Sequence, residues 1–455
     1  MDATHEVRIW AIKQYRGKKK TTYRVRWVVA GNEFGESFET SALADSFRSG
    51  LVSSARSGEA FDTESGLPVS MKRQQAEAVT WYAFACSYVD MKWPDSSPKY
   101  RKSLAESMTR ITVAMLHDST QVRDGKKLRN ALMTAFNKRT RADQPTPATA
   151  DLLKTVERNC RRVSDLTKPD VLRSVLGTLD LNLDGRRASA NTVRIRRTAL
   201  GNAIDYAIEK KLLAKNPLAE IKVKKRNYAL NEVDPASVVN PTQARMLLAA
   251  VDAVGKQGPP LVAFFALMYY AGLRPEEAAA LKKSNLSLPK EGWGDLNLEG
   301  ARPEIGQEWT DSGEASAEGP LKHREAKVGR VVPCSLTLTA ILHNHLARFG
   351  TAPDGRLFRG ARNGGRLGSS TYGRVWAKAR EAVFTAELAA SALAKRPYDL
   401  RHASVSTWLS AGVEAPRVAK WAGHSLTVLL KVYAKCLDGG EKSARDRVER
   451  SQDGW

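Results

Sequence analysis

The chain has 455 residues and 42% apolar residues, enough for roughly two to four domains with hydrophobic cores, which excludes a wholly disordered protein. Its 72 Lys and Arg residues against 49 Asp and Glu residues give a net charge of +23. Such a charge attracts polyanions, so the composition favours nucleic acid over a membrane surface as the partner. No window approaches about eighteen uninterrupted apolar residues and the N-terminus lacks an apolar signal core, so we expect a cytoplasmic protein.

The spacing of the cysteines predicts neither a metal site nor a set of disulfide bonds. The four are far apart in the sequence and lack metal-ligand spacing: Cys86, Cys160, Cys334 and Cys436. We therefore expect reduced, packed thiols and no bound metal or other cofactor.

The first 66 residues predict a small sheet covered by a helix. Segments 7–12, 23–29 and 34–38 alternate as strands do and are separated by turns, which predicts a three-stranded antiparallel sheet. A helix over 41–55, with Ser41 as its N-cap, would cover one face.

Basic side chains of this sheet suit DNA contact. In the second strand Arg24 and Arg26 lie on the face opposite Val25 and Trp27. The preceding turn adds three consecutive lysines, Lys18, Lys19 and Lys20. A solubilising charged face is the alternative interpretation.

Residues 72–226 predict an almost wholly helical domain after a Gly- and Ser-rich linker. The clearest helix covers 190–213, where apolar residues recur at helical spacing and Asn216-Pro217 marks the stop. Basic residues gather at this end of the domain: Arg194, Arg196, Arg197, Lys224, Lys225 and Arg226. We expect them to hold a phosphate backbone without reading sequence, the alternative being a solvated helix face.

A polar stretch over 227–241 predicts a linker to a C-terminal domain. The apolar run 261–270 predicts its central core helix. Pro275 suits the first turn of the next helix, so Arg274 would lie at a helix N-terminus, which favours an anion. Strands are expected near 285–288, 293–298 and 329–333.

The residues that carry chemistry lie in this C-terminal domain. They are Arg274, Tyr398, Arg401, His424 and Tyr433. Two guanidiniums can clamp a phosphate, an imidazole can donate a hydrogen bond, and a phenol can be a nucleophile. A helix from 398 would place Arg401 in its early turns, and a second helix ending at Gly423 would present His424 at a turn.

This set resembles the tyrosine recombinase (phage integrase) family. The family pattern is an early Arg, a Lys on a β-hairpin, a His-x-x-Arg, a Gly-His and a Tyr nine residues later. Gly-Leu-Arg-x-x-Glu, ending at Glu277, and the spacing from His424 to Tyr433 match it, whereas Tyr398 stands where the family has His.

The resemblance implies a multidomain fold, mainly α with small β-sheets. Its parts would be an arm-type DNA-binding module with a three-stranded sheet plus helix (1–66), a helical core-binding domain (72–226), a linker (227–241) and a mixed α+β catalytic domain with a C-terminal tail (242–455). Family members often pass such a tail to a neighbouring subunit.

The resemblance also implies roles for the residues. Tyr433 would attack the scissile phosphorus and form a 3′-phosphotyrosyl bond, with Arg274 and Arg401 stabilising the transition state and His424 adding a hydrogen bond. The lysine that protonates the 5′ oxygen would be Lys322, with Lys327 as the alternative.

Proton transfer is the step at which this sequence departs from the family pattern, because Tyr398 replaces a histidine. A phenol at Tyr398 cannot relay protons near neutral pH as an imidazole can. His402 or His323 would be the substitute, but a helical neighbour of Arg401 points about 100° away from it, which disfavours His402.

The expected function is site-specific recombination by a bacterial, DNA-associated enzyme that integrates or excises a phage or mobile element. Its partners would be double-stranded attachment sites, three further copies of the chain in a homotetramer, and accessory DNA-bending or directionality proteins. The alternatives are an enzyme like type IB topoisomerases and a catalytically impaired DNA-binding protein of the same fold. The sequence leaves the target DNA and the direction of reaction open.

Overall fold

The computed structural model describes residues 3–16, 21–71, 79–117, 124–143, 145–221, 232–301, 303–314, 329–360, 365–437 and 441–452. The chain divides into two compact units, Met1–Arg226 and Asn227–Trp455. Helices dominate both units, and the sheets are small and antiparallel, so the predicted fold class is confirmed.

The N-terminal sheet has one strand more than the sequence predicts. Its strands are Val7–Ile9, Lys13–Arg16, Thr21–Val29 and Asn32–Phe38. The long strand Thr21–Val29 pairs with the last strand along one edge, and with the first two, end to end, along the other. The predicted first strand over 7–12 ends earlier, at Ile9, and the unpredicted strand Lys13–Arg16 follows it along the same edge. A further strand pair, Ala3–Thr4 with Phe61–Asp62, lies outside this sheet.

A helix covers one face of this sheet, as predicted. Its residues are Ser41–Arg56, and its N-cap is Thr40, one residue before the predicted cap, because the Thr40 hydroxyl accepts from the Leu43 N–H at 3.3 Å. Val25 and Trp27 are buried against the helix, whereas Arg24 on the opposite face is exposed. The predicted division of the strand into an apolar and a basic face is confirmed.

The remainder of the first unit is helical. Its α-helices are Trp81–Lys92, Pro98–Ala114, Gly125–Ala135, Lys138–Ala142, Pro147–Asn159, Pro169–Leu179 and Ala190–Glu209. Aromatic rings of Phe84, Tyr88 and Tyr206 join the first and last of these helices, with ring centroids 5.5 to 6.3 Å apart. The last helix ends four residues before the predicted boundary, and Lys211 just beyond it has a left-handed φ of 59°.

The second unit surrounds one almost wholly buried helix. This core helix, Val262–Tyr270, confirms the prediction from the apolar run. The other α-helices are Pro241–Asp252, Pro275–Ala280, Leu336–Phe349, Ser369–Val383, Ala386–Ala390, Asp399–Ser410, Ala415–Ala422, Leu426–Leu437 and Glu441–Gln452. An antiparallel sheet of Leu286–Ser287, Gly294–Leu298 and Arg330–Cys334 lies close to the predicted strand positions.

Part of the predicted linker packs within the second unit. Val233 and Val239 are buried, and the Val233 N–H donates to the Val432 carbonyl at 2.8 Å. Val233 belongs to the same apolar cluster as Leu429 and Tyr433. The chain is therefore fixed to the second unit from Val233 onward.

Candidate active site

Arg274 lies at the first turn of a short helix, as the sequence predicts. The core helix ends at Tyr270, and Gly272, with a φ of 60°, turns the chain toward the helix Pro275–Ala280. The Arg274 N–H donates to Glu277 Oε2 at 2.9 Å, and its Nη1 donates to Glu277 Oε1 at 2.6 Å. The guanidinium is buried and fixed by these bonds.

Glu277 is the common partner of three arginines. Its side chain is 1% exposed, and besides Arg274 it accepts from Arg330 Nη2 at 2.8 Å and approaches Arg401 Nη1 at 4.0 Å. Burial by itself would raise the pKa of this carboxyl, but the three guanidiniums lower it to about 2. Glu277 is therefore a carboxylate at every ordinary pH.

The buried charges of this cluster do not balance. Three guanidiniums and one carboxylate leave two surplus positive charges, and burial lowers the pKa of both Arg330 and Arg401. Unpaired charge in a protein interior is unfavourable unless an opposite charge is supplied. The cluster is thus electrostatically suited to an anion.

Arg401 joins three segments of the chain. It is fully buried in the helix Asp399–Ser410, and its guanidinium donates to the carbonyl oxygens of Gly272 and Ala422. Its Nη2 also lies 2.8 Å from His424 Nε2. Arg401 therefore fixes the loop before Arg274 and the turn that carries His424 in one arrangement.

His424 follows a left-handed glycine. The helix Ala415–Ala422 ends at Gly423, with a φ of 64°, and the Gly423 carbonyl accepts from Arg274 Nη2 at 3.0 Å. Burial, and then the nearby guanidiniums, lower the pKa of His424 to about 3, so its imidazole is neutral. Because Nε2 accepts from Arg401, the proton lies on Nδ1.

The cluster holds donors that lack acceptors. Among the described residues, His424 Nδ1, Arg401 Nε and Arg330 Nε are buried without a hydrogen-bond partner. Leaving a buried donor unpaired costs about 1–3 kcal/mol, so a group that accepts hydrogen bonds from these donors would be stabilised here. Together with the surplus positive charge, these donors favour an anion that accepts hydrogen bonds.

Gly423→Ala is expected to lower both stability and activity. A Cβ at this position would overlap Arg330 Nη1, and a left-handed φ costs a non-glycine residue about 1–2 kcal/mol. We expect the DNA cleavage that the sequence predicts to slow about tenfold or more, because the Arg330 and Arg274 guanidiniums must move. Single-turnover cleavage and urea unfolding would measure the two effects.

Gly350→Ala is the matched control for that variant. Gly350 also follows a helix with a φ of 63°, but nothing lies within 4 Å of its would-be Cβ. It should lose stability and keep the cleavage rate. Equal cleavage rates in the two variants would show that the overlap at Gly423 has no part in the site.

Tyr433 lies beside this cluster, on the helix Leu426–Leu437. Its side chain is 1% exposed, and it packs with Val405 and Leu429. Its hydroxyl lies 2.9 Å from His402 Nδ1, and its ring centroid is 6.0 Å from that of His424. The phenol is thus in contact with two histidines.

Tyr398 lies at the start of the helix that carries Arg401. It is half-buried, and its ring meets that of His402 edge-on at a centroid distance of 5.1 Å. The structure thus brings together five predicted site residues: Arg274, Tyr398, Arg401, His424 and Tyr433. Lys322, its alternative Lys327, and His323 lie outside the described residues.

Two residues belong to the cluster although the sequence analysis did not place them there. His402 is disfavoured there, yet it contacts the Tyr433 hydroxyl, and Arg330 has no role beyond its strand. A signal for Arg330 exists, because it alternates with the buried Val332 and Cys334 and so faces inward. A buried arginine needs a carboxylate, which Glu277 provides.

Comparison with known proteins gives structural matches only. A scan against protein-family models finds no match, and no curated protein matches the sequence. Similar solved structures include those of integrases and site-specific recombinases. The integrase of the Tn1549 transposon in complex with a circular intermediate DNA is 17% identical, with a TM-score of 0.48, over 70% of this chain and 98% of that chain.

Two further matches have the same character. A lambda integrase tetramer bound to a Holliday junction is 15% identical with a TM-score of 0.42, over 90% of this chain and 91% of that chain. The XerH site-specific recombinase bound to difH is 14% identical with a TM-score of 0.40, over 74% and 93%. The function is argued below from the site itself.

The basic residues predicted on the N-terminal sheet differ in exposure. Arg24 is exposed, whereas Arg26 is half-buried, lies over the Trp10 ring at 5.2 Å and pairs with Glu33 at 3.3 Å. Arg24 is therefore the freer of the two to meet a phosphate. Lys18, Lys19 and Lys20 lie outside the described residues.

The arginines of the helix Ala190–Glu209 also differ in exposure and in whether they pair with other groups of the protein. Arg194 is exposed, but Arg196 donates to the carbonyls of Leu179 and Leu181, and Arg197 pairs with Asp180 at 2.9 Å. Two of the three thus hold the end of a neighbouring helix. Lys224, Lys225 and Arg226 are outside the described residues.

Within the part of the chain that the structure describes, no group of three or more His, Cys, Asp or Glu residues is placed to hold a metal ion. In the same part, no helix combines the length and apolarity that crossing a bilayer requires.

Proposed function

We propose that this chain is a tyrosine recombinase, a site-specific enzyme that cleaves and rejoins DNA through a 3′-phosphotyrosyl intermediate. The observation that carries the proposal is a phenol, Tyr433, beside a buried arginine cluster with surplus positive charge and unpaired donors. A phosphodiester supplies acceptors for these donors and one negative charge, and a second negative charge develops on its oxygens as the phenol attacks. A phosphodiester also offers an electrophilic phosphorus to the phenol, and the net charge of +23 favours a polyanion such as DNA as its carrier.

The reaction follows from these groups. Tyr433 Oη attacks the phosphorus, the 3′ oxygen stays on phosphorus, and the 5′ oxygen leaves. Arg274 and Arg401 stabilise the charge that develops on the non-bridging oxygens, and the unpaired His424 Nδ1–H donates to one of them. The phosphotyrosyl bond retains the energy of the diester, so a 5′ hydroxyl from another strand can reverse the step without ATP.

Lys322 is proposed as the group that protonates the leaving 5′ oxygen. An alkoxide is a poor leaving group, so a general acid is needed on the side of phosphorus opposite Tyr433. Lys322 precedes the strand Arg330–Cys334, whose Arg330 belongs to the cluster. Lys327 is the alternative within the same segment.

The other parts of the chain are proposed to hold DNA. The module 1–66 would bind a separate arm site through exposed residues such as Arg24, and the helical domain 72–226 would bind the core site. The linker 227–241 joins the latter to the catalytic domain 242–455. Exchange between two duplexes cuts four strands, and each chain has one such tyrosine, so the active form is a homotetramer.

The biological role proposed is integration or excision of a phage or mobile element. Arm-type modules suit enzymes that act on composite attachment sites, with accessory DNA-bending or directionality proteins as further partners. A monomeric topoisomerase needs neither a second DNA site nor exchange between subunits.

Trapping the covalent intermediate tests this proposal. The full chain is incubated with sheared genomic DNA of its source cell, denatured with detergent, and the DNA that stays bound to protein is sequenced. The recovered sequence is then rebuilt as a nicked suicide duplex, which cannot be rejoined. We expect a covalent adduct from the wild-type protein and none from Tyr433→Phe, because phenylalanine lacks the attacking oxygen.

Tyr372→Phe is the control for loss of a phenol in the same unit. Tyr372 packs against Phe264 in the core, and no role in the reaction is proposed for it. Its adduct should match that of the wild type. No adduct from the wild type would leave a DNA-binding protein without catalysis, and relaxation of one plasmid without exchange between two sites would favour the topoisomerase.

A further inference from the structure

His402 is the histidine whose ring nitrogen lies within hydrogen-bond distance of the Tyr433 hydroxyl, the candidate nucleophile. Its Nδ1 lies 2.9 Å from Tyr433 Oη, and the two ring centroids are 5.7 Å apart. The contact is formed between two packed helices, Asp399–Ser410 and Leu426–Leu437, so both groups are fixed. A phenol must lose its proton as it attacks. The contact places a basic nitrogen within hydrogen-bond distance of the hydroxyl that carries this proton.

We propose that His402 is a catalytic residue: its Nδ1 accepts the proton of Tyr433 as the phenolic oxygen attacks phosphorus. The inference rests on the function proposed above and assigns the proton acceptor within that same site. In this arrangement the imidazole carries its own proton on Nε2, and the Tyr433 hydroxyl donates to Nδ1.

Two predicted site residues of the same cluster, His424 and Tyr398, are unsuited to this role. His424 accepts from Arg401 through Nε2, so its remaining nitrogen carries a proton and is a donor. Tyr398 has no basic nitrogen, and it packs its ring against His402 rather than replacing it. His402 lies four residues, about one helical turn, after the position where the family has His, and it takes the role that Tyr398 cannot fill.

The surroundings keep His402 neutral and able to accept. Burial lowers its pKa to about 4, an effect that Asp399 opposes and that Arg401 and Arg396 reinforce. The titratable and charged groups that face it are Arg396, Tyr398, Asp399 and Arg401 from its own segment, with His424 and Tyr433 from the segments packed against it. A bound phosphodiester would stabilise the imidazolium that forms on proton transfer.

The step balances in both directions. In cleavage the Tyr433 O–H bond breaks, its proton goes to His402 Nδ1, the Oη–P bond forms and the P–O5′ bond breaks. The 5′ oxygen takes a proton from the ammonium proposed at Lys322. In rejoining, the 5′ hydroxyl returns that proton to the lysine, and the His402 imidazolium returns its proton to Tyr433.

His402→Asn is the decisive variant. The asparagine side chain can accept the hydrogen bond from Tyr433 but cannot take its proton. With the suicide duplex recovered from genomic DNA, we expect single-turnover cleavage to fall about 100-fold or more at pH 7, within the range of general-base catalysis. His402→Ala should lose at least as much, and His343→Ala, an exposed histidine of the same unit, should lose nothing.

Two readouts separate proton transfer from a structural role. A phenol ionises by itself near pH 10, so the rate of His402→Asn should rise about tenfold per pH unit from pH 7 to 9 while the wild-type rate stays flat. A duplex with sulfur in place of the bridging 5′ oxygen needs no leaving-group proton. It should rescue a variant of the lysine and leave His402→Asn slow.

The outcomes decide each point separately. Wild-type cleavage by His402→Asn, a pH profile parallel to that of the wild type, or rescue by the 5′-sulfur duplex would overturn the inference. If the wild-type protein forms an adduct that Tyr433→Phe lacks, the proposed function stands in all of these cases. If no adduct forms at all, the proposed function fails and this inference fails with it.

Discussion

Glu277→Gln is expected to lower the free energy of unfolding of the C-terminal unit by about 3–5 kcal/mol, the usual effect of removing one partner from a buried ion pair. Glu277 is 1% exposed and is the shared counterion of Arg274, Arg330 and Arg401. Glutamine keeps the shape and loses the charge, so three guanidiniums would remain buried without a carboxylate. Urea unfolding at pH 7, followed by a probe of the C-terminal unit, measures the loss.

The pH dependence of this loss has a definite sign. The pKa of Glu277 is lowered in the folded protein from 4.5 to about 2, so its charge stabilises the fold fully above pH 4.5. That contribution is lost as the pH falls from 4.5 toward 2. The difference in unfolding free energy between the wild type and Glu277→Gln should therefore shrink across this interval.

Glu276→Gln is the neighbouring control. Glu276 lies in the same helical turn but is only half-buried, so the same change should alter stability by less than about 1 kcal/mol. Equal stability losses in the two variants would show that Glu277 is not the counterion of the cluster.

Arg401→Lys is expected to reduce adduct formation by about 100-fold or more while the charge is kept. Removing one donor that stabilises a developing oxyanion commonly has an effect of about 10²–10³ on the rate. Arg401 also reaches the carbonyls of Gly272 and Ala422 and the imidazole of His424 at once. A lysine has a single nitrogen and cannot hold these groups in the planar geometry of a guanidinium.

The measurement for Arg401→Lys is the single-turnover rate on the suicide duplex, with DNA affinity determined in parallel. Arg417→Lys, at a 61% exposed position on the neighbouring helix, is the control and should cleave at the wild-type rate. A near-normal rate in Arg401→Lys would mean that Arg401 supplies charge alone, and that its fixed geometry is unimportant.

Much of the site was accessible from the sequence because its members lie at fixed distances from helix ends. Arg274 precedes a proline at a helix start, and His424 follows a glycine that ends a helix, so local rules place both. The spacing from His424 to Tyr433 then places the proposed nucleophile on the next helix. The structure brings these residues together with Arg401.

What the sequence could not provide was the packing between helices. The 100° rotation between Arg401 and His402 separates the two side chains correctly, but it does not show that Tyr433 approaches from the His402 side. Likewise, the alternation of buried and exposed residues in the strand Arg330–Cys334 predicts that Arg330 faces inward. It does not show that Glu277 is the carboxylate that pairs with it. The N-terminal sheet has the same limitation, since the break of its first strand after Ile9 depends on pairing with the neighbouring strand.

The hydrogen bond from Val233 to Val432 is a point at which the helix Leu426–Leu437 would resist a pull on the C-terminal tail. This bond holds the helix from outside, one residue before Tyr433, and the tail begins only after that point. Tension on the tail helix Glu441–Gln452 would reach Tyr433 before it reaches the bond at Val432, so the phenol lies on the loaded side of this anchor. A pull on the tail of one chain would therefore act on its own tyrosine before Val233 resists it.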